Sequence, residues 1–271
     1  MTTREKIDHI ENKIKVTELT VSRFGKTFQI YPWLKGRLFH KHITGNETLQ
    51  KKTLGLMLRQ VVSVFYGFWN IFGRYNIWAF TNSAERRLID EGYYDKLFDY
   101  VGNSCGRKVL IVELRLFNYF PYRKIASKRA ISKSIFIFLE EIYARLFLNS
   151  VKINSPEVLK ELYDEFDDSI SEKAIVKKYL AQYRVMRFWL RLFPNPRTVL
   201  MSVSYTNFGY IQALKERGIK IVEFQHGLIT SNHHAYNYSA TFSPIMFPDM
   251  IATVGEGELS VFNESNKFPI Q

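Results

Sequence analysis

Apolar residues fall along this chain in two rhythms: long helix-spaced runs at the start and short continuous runs further on. Residues 1–20 mix charged with apolar positions and predict a helix. "FQIYPWLKGRLFHKHI" is aromatic and basic, and Pro32 is expected to break it. Residues 48–73, "TLQKKTLGLMLRQVVSVFYGFWNIFG", form an apolar run whose length predicts one long helix rather than a strand. Then the rhythm shortens. "YNIWAF" predicts a first strand, with "TNSAERRLIDEGYYDKLFDYV" following as a loop and a helix. "RKVLIVELR" is rich in β-branched residues and predicts a second strand. "IFIFLEEIYARLF" predicts a helix. Residues 155–193 predict two more, the first capped by Ser155 with Pro156 in its first turn. "PNPRTVLMSVSY" carries a third strand after a proline-marked break. "NFGYIQALKERG" predicts a helix closed by Gly218. "IKIVEFQ" and "MIATVGEG" predict a fourth and a fifth strand.

Strands that alternate with helices and are apolar throughout belong to a parallel sheet covered on both faces. The expected fold is therefore α/β, a Rossmann-like doubly wound parallel sheet of about five strands with extra N-terminal and inserted helices. Residues 1–74 form an N-terminal helical and aromatic segment packing on the core. Residues 75–257 form the Rossmann-like domain. Residues 258–271 read as a linker or the start of a second domain.

In such sheets ligands sit beyond the carboxyl ends of the strands, so the strand tips are where chemistry is sought. The first offers Asn82, Ser83, Glu85 and Arg86, and the second Glu113 and Arg115. The third offers Ser204, Tyr205 and Asn207, and the fourth Gln225, His226 and Gly227. The geometric expectation is that Glu85, Glu113, Tyr205 and His226 share one rim. Each residue also has a plainer reading. Glu85 with Arg86 fits a surface ion pair. Glu113, inside an apolar strand, needs a partner, so an ion pair with Arg115 or another Arg stands beside general-base duty. His226 fits either a satisfied core histidine or an acid–base or phosphate-holding group. His226, His233 and His234 invite a zinc site, but no cysteine lies near them and no HExxH pattern is present. Neither of the common glycine-rich phosphate-binding patterns occurs, nor a nucleophile-elbow serine motif.

Composition adds a partner class. The chain of 271 residues carries a formal charge of +12, which favours an anionic partner. Residues 107–133 hold eight Lys or Arg against one Glu. That stretch reads as a solvated face or as contact with an acidic substrate or membrane. No nucleic-acid-binding motif accompanies it, so a nucleic-acid partner is not expected. The helix expected at 54–73 is apolar nearly all round. Burial is its first reading, and peripheral contact with an anionic membrane is its second. Cys105 is the single cysteine, which excludes an internal disulfide and fits a reducing cytoplasm. The N-terminus reads as no signal peptide, and no run is apolar and long enough to span a bilayer.

At "GIKIVEFQHGLITSNHHAYNY" the sequence resembles bacterial glycosyltransferases of the GT-B type that build capsule and O-antigen polysaccharides. "FTNSAERRLIDEGYYDKLFDYV", "VSYTNFGYIQALKERGIK" and "MFPDMIATVGE" extend the resemblance over residues 70–257. It implies transfer of a sugar from a nucleotide-sugar donor to a surface polysaccharide or lipid-linked acceptor. The setting would be cytoplasmic, at the inner face of the membrane. The nucleotide sugar would be a co-substrate, and no separate cofactor or metal is implied. His226 would contact the donor phosphate or the reacting centre, and Gly227 would let backbone approach closely. Gln225, His233, His234 and Tyr236 would line the cleft. Glu85 or Glu113 would be the base, and Arg86 and Arg115 would hold phosphate or an acidic sugar. A Q-H-G element also occurs in polyol-phosphate (CDP-glycerol-type) transferases, which gives an alternative reaction. GT-B enzymes have two Rossmann-like domains, and the residues after 257 are too few for a second. The resemblance therefore implies a fragment, a partner supplying the other half, or a binding or scaffold protein without transfer activity.

Overall fold

Continuous apolar strands need cover on both faces, and the computed structural model of the chain provides it; the structure describes residues 2–44, 54–115, 120–167 and 169–270. The N-terminal part comprises α1 (Thr3–Lys13), β1 (Thr20–Arg23), β2 (Lys26–Gln29), α2 (Tyr31–Thr44) and α3 (Leu54–Ser63). Next come β3 (Ile77–Asn82), β4 (Arg86–Ile89), β5 (Gly92–Asp95), α4 (Asp99–Ser104), β6 (Val109–Leu114), β7 (Ala130–Ser132) and α5 (Ser134–Phe147). The chain continues through β8 (Ile153–Asn154), α6 (Pro156–Phe166), α7 (Glu172–Leu192), β9 (Thr198–Met201), α8 (Phe208–Lys215), β10 (Lys220–Phe224) and β11 (Met250–Ala252).

Six strands form one parallel sheet in the order β11-β10-β9-β3-β6-β7. The chain lays strands outward from β3 to β7, then returns to β9 on the other side. This is the Rossmann-like doubly wound order, and its reversal point lies between β3 and β9. One face carries α5, α7 and α8, with Phe80, Val112, Met201 and Ile221 entering the main core. The other is covered by α4 and the β4–β5 hairpin, with Ala79, Val109 and Leu200 meeting Phe98.

Several elements differ from the sequence expectation. Pro32 does not break its segment: it is the second residue of α2, where its missing N–H costs no hydrogen bond. Of the long helix expected over 48–73, residues 48–53 lie outside the described residues, and the helix ends at Ser63. Gly67 stops any continuation at φ +62°, where an added Cβ would lie 1.7 Å from the Ala130 carbonyl oxygen. The loop expected after the first strand contains the β4–β5 hairpin. A sixth sheet strand, β7, lies in the basic aromatic stretch, whose rings pack on tyrosines from outside it: Phe120 on Tyr93 at 4.0 Å and Tyr122 on Tyr66 at 5.1 Å. Ser155 makes no side-chain cap because its backbone is left-handed, at φ 58°. Gly218 does close α8, at φ 70°: Ile219 N–H donates to the Leu214 oxygen and Gly218 N–H to the Lys215 oxygen.

The N-terminal segment shares the main hydrophobic core, through residues such as Ile7, Trp33 and Phe39. Its hairpin is completed by β8 into a three-stranded antiparallel sheet. The residues from Glu258 onward, expected as a linker or the start of a second domain, return to the body of the molecule. Val261 and Phe268 enter the main core, and Asn266 bonds the Tyr236 and Val261 carbonyls and the Tyr238 N–H.

Candidate functional site at the carboxyl edge of the sheet

The tip of β3 is the short turn Ser83–Glu85, held by Asn82, whose side chain accepts from the Ala84 N–H at 2.8 Å. Beside it, across the reversal point, β9 runs on into Ser202–Asn207. β10 follows with Gln225, His226 and Gly227. Three of the four expected rim residues meet here. The Tyr205 and His226 rings lie 6.5 Å apart. Glu85 lies near enough for its charge to act on His226, and Lys96 pairs with Glu85 at 2.8 Å. His226 is half-buried, and its Nδ1 is enclosed without a hydrogen-bond partner. Desolvation lowers its pKa below the usual histidine value, with Glu85 pulling upward and Lys96 downward. At neutral pH the imidazole is therefore uncharged and able to accept a proton, beside a carboxylate that stabilises the imidazolium.

Glu113 takes another path. Phe80 pairs with Val112 and Met201, and Met201 with Glu223. Side chains in register across parallel strands share a face, so Glu223 turns toward α5, α7 and α8. Glu113, one position past Val112, turns to the opposite face. There Arg86 Nε donates to Glu113 at 2.6 Å, and Arg86 Nη1 to Asp99 at 3.1 Å, all three buried. Arg86 is thus the core partner of Glu113, and the expected Glu85–Arg86 surface pair is replaced by Glu85–Lys96. Arg115 is also buried, donating to the Phe120 oxygen at 2.6 Å with its guanidinium 3.7 Å above the Tyr66 ring. Neither arginine offers open charge at the rim.

Sequence reasoning missed Glu223. It is fully buried, and its Oε1 accepts from the Ser204 N–H at 2.9 Å and the Tyr236 hydroxyl at 2.8 Å. Burial pushes its carboxyl up to about 7, against the pull of those hydrogen bonds. The available signal was a carboxylate inside a continuous apolar strand, the same signal that marked Glu113. Tyr236, held by this carboxylate, has a phenol pKa raised by burial and by the charge of Glu223. Its ring stands 5.9 Å from Tyr205 and 4.8 Å from His233.

The histidine loop is held by the N-terminal helices. Lys35 of α2 is buried against Glu11 of α1 at 2.6 Å and also donates to the Asn237 carbonyl. The second oxygen of Glu11 accepts from the Ser239 and Ala240 N–H groups at 2.6 and 3.0 Å. Asn237 in turn donates to the Thr230 and His233 carbonyls at 3.0 and 2.9 Å. His234 stacks on Phe39 at 5.9 Å, and burial lowers its pKa to about 3. His233 is likewise lowered by burial and by His226. Gln225 ties β10 to the following turn: its oxygen accepts from Val254 N–H at 2.7 Å and its nitrogen donates to Glu258 at 3.0 Å. An added Cβ at Gly227 would meet nothing within 4 Å, so the chain itself sets no steric demand there. Ser204 is buried, and Asn207 accepts from Lys133 Nζ at 2.5 Å. Among the described residues no group of three or more His, Cys, Asp or Glu is placed to hold a metal ion.

Tyr205, His233 and His234 also border a cavity of about 370 Å³, enclosed on its other sides by Trp33, Arg37 and His40 of α2 and by Lys178 and Tyr179 of α7. Another cavity, of about 420 Å³, has Arg4 as its one titratable lining residue, and Arg4 is already paired with Asp8. The first therefore offers the richer chemistry. No protein-family model, curated protein or solved structure matches the chain.

Proposed function

We propose that the chain is a glycosyltransferase, or the acceptor-binding half of one, moving a sugar from a nucleotide sugar to a bacterial polysaccharide or lipid-linked acceptor. The observation that carries this reading is His226: a half-buried, neutral imidazole past the end of β10, beside Glu85 and Tyr205. An acceptor hydroxyl attacks the anomeric carbon of the donor, the carbon–oxygen bond to the diphosphate breaks, and the hydroxyl proton passes to His226. A nucleoside diphosphate leaves. Glu85 is a positioning residue that stabilises the imidazolium. Glu223 acts through Tyr236 and the Ser204 backbone to fix the ring wall of the site. Glu113 and Arg86 hold the fold beneath it.

An anionic membrane is the surface on which such an acceptor is presented, and one face of the molecule suits it. Leu58, Val61, Val62 and Phe65 make an exposed stripe at helical spacing, continued by Trp69 and Phe72; Trp69 is 82% exposed and Phe65 73%. Segment 54–74 carries Arg59 and Arg74 and no acidic residue. No helix among the described residues is long and apolar enough to cross a membrane, so this contact is peripheral.

The test is product analysis. The full chain is incubated with a panel of nucleotide sugars, and separately with CDP-glycerol, over acceptor-bearing bacterial membranes. Release of a nucleoside diphosphate with sugar incorporation is expected. CMP release from CDP-glycerol alone would move the assignment to polyol-phosphate transfer. Acceptor binding without turnover of any donor would reduce the chain to the acceptor-binding half; neither turnover nor acceptor binding would contradict the reading.

A further inference from the structure

Transfer from a nucleotide sugar leaves negative charge on a departing phosphate, and cations must meet it. Arg86 and Arg115, the arginines at the strand tips, are buried in contacts of their own. The cations that face open space come from the N-terminal and inserted helices. Arg37 on α2 and Lys178 on α7 border the 370 Å³ cavity beneath the histidine loop. Arg37 and Lys178 stand close enough for the charge of Arg37 to lower the Lys178 pKa, in addition to desolvation of the ammonium, though much of the Lys178 side chain stays open to solvent. Among the described residues no carboxylate is bonded to either. Glu140, which accepts from the Tyr210 hydroxyl, draws the Lys178 pKa upward, but less strongly than Arg37 pushes it down.

Two like charges set together with no carboxylate bonded to either destabilise a fold through their repulsion. Such an arrangement persists where a ligand supplies the opposite charge. The walls fit that ligand's other half. Tyr179 is fixed by its hydroxyl on the Tyr205 carbonyl at 3.2 Å, and His234 by stacking on Phe39, so the rings are held in place. Tyr205 and His233 belong both to this cavity and to the surroundings of His226. A group bound here therefore borders the proposed reacting centre.

We propose that this cavity is a phosphate-binding subsite, in which Arg37 and Lys178 hold the phosphate of the ligand and Tyr205 and His233 flank the group it carries. The inference deepens the transferase reading. It rests on that reading for the identity of the substrate, and on the cavity alone for the binding.

Calorimetry on the full chain tests it, with uridine diphosphate, glycerol phosphate and neutral glycerol as probes. At least one phosphate is expected to bind and glycerol is not. Binding of uridine diphosphate alone assigns the subsite to the nucleotide donor; binding of glycerol phosphate assigns it to a nucleotide-free phosphate. The double variant Arg37→Gln/Lys178→Gln should bind at least about tenfold more weakly. Its Tm without phosphate should equal or exceed that of the wild type, because repulsion has been removed. Arg217→Gln, exposed at the far end of α8, should bind as the wild type does. The proposal is overturned if neither phosphate binds, if the double variant binds normally, or if its Tm falls. Normal phosphate binding with neither turnover of any donor nor acceptor binding would leave the subsite standing and remove the transferase reading. Turnover with unweakened binding in the double variant would do the reverse.

Discussion

Glu223 is a carboxyl group whose burial makes folding itself respond to pH. Its pKa is about 7 in the folded protein, against roughly 4.3 for an exposed glutamate. Between those values the folded state keeps a proton that the unfolded state has released, so this group lowers stability as pH rises from about 4.3 to about 7. The full effect is on the order of 3 kcal/mol. Glu223→Gln removes it. Urea unfolding should show wild-type stability, measured relative to the variant, falling by up to that amount between about pH 4 and pH 8; a constant difference would show that the carboxyl is not perturbed. His226→Ala is expected to cut transfer by about a hundredfold or more, with stability within about 1 kcal/mol of wild type. Large destabilisation, with activity surviving in the folded fraction, would make His226 a core histidine instead. The candidate site was legible in part at this scale. His226, Tyr205 and Glu85 were readable because strand tips of a parallel sheet converge. The opposite facing of Glu113 and Glu223 was not, because it depends on strand register, which sequence spacing does not reveal.

At the scale of elements, α8 meets α7 at a glycine. A Cβ on Gly209 would lie 2.2 Å from the Tyr179 oxygen, 2.7 Å from Gln182 Cβ and 2.8 Å from the Tyr183 nitrogen. Two of those atoms are helix backbone and cannot swing away. Gly209→Ala should therefore destabilise by about 2 kcal/mol or more and disturb Tyr205 and Asn207, which lead into α8. Thermal unfolding measures the first effect; an unchanged Tm would mean that the helices separate without penalty. The sheet strands β3, β6, β9, β10 and β11 were readable because each is a continuous apolar run. The β4–β5 hairpin was not: its strands are four residues each and carry charge, and its turn passes through Asp90 at φ 53° without the usual Asn-Gly or Asp-Gly pair. β7 was hidden because its three residues sit inside a basic stretch. The apolar run over 48–73 was over-read as one helix because periodicity does not report the collision that a side chain at position 67 would make.

Across the whole molecule, the parallel sheet was legible in the sequence and the service of the N-terminal segment was not. Glu11 and Lys35 reach the histidine loop from more than 200 positions away in the chain. No local pattern carries such a pairing. The charge of +12 and the outward apolar stripe that begins on α3 and runs on to Phe72 together predict binding to vesicles containing anionic lipid. The variant Phe65→Asp/Trp69→Asp should lose that binding by about tenfold or more in co-sedimentation. A stripe that instead buries itself in concentration-dependent dimers, with no vesicle binding, would contradict the membrane assignment. The proposed transfer takes place at the carboxyl edge of the sheet, between the tip of β3 and the loop after β10. Hydrogen exchange of the full chain, with and without the phosphate donor it turns over, tests this most directly. Protection is expected in residues 82–85, 202–208 and 225–238. Protection confined to the amino edge of the sheet, or to residues 257–265, would contradict it.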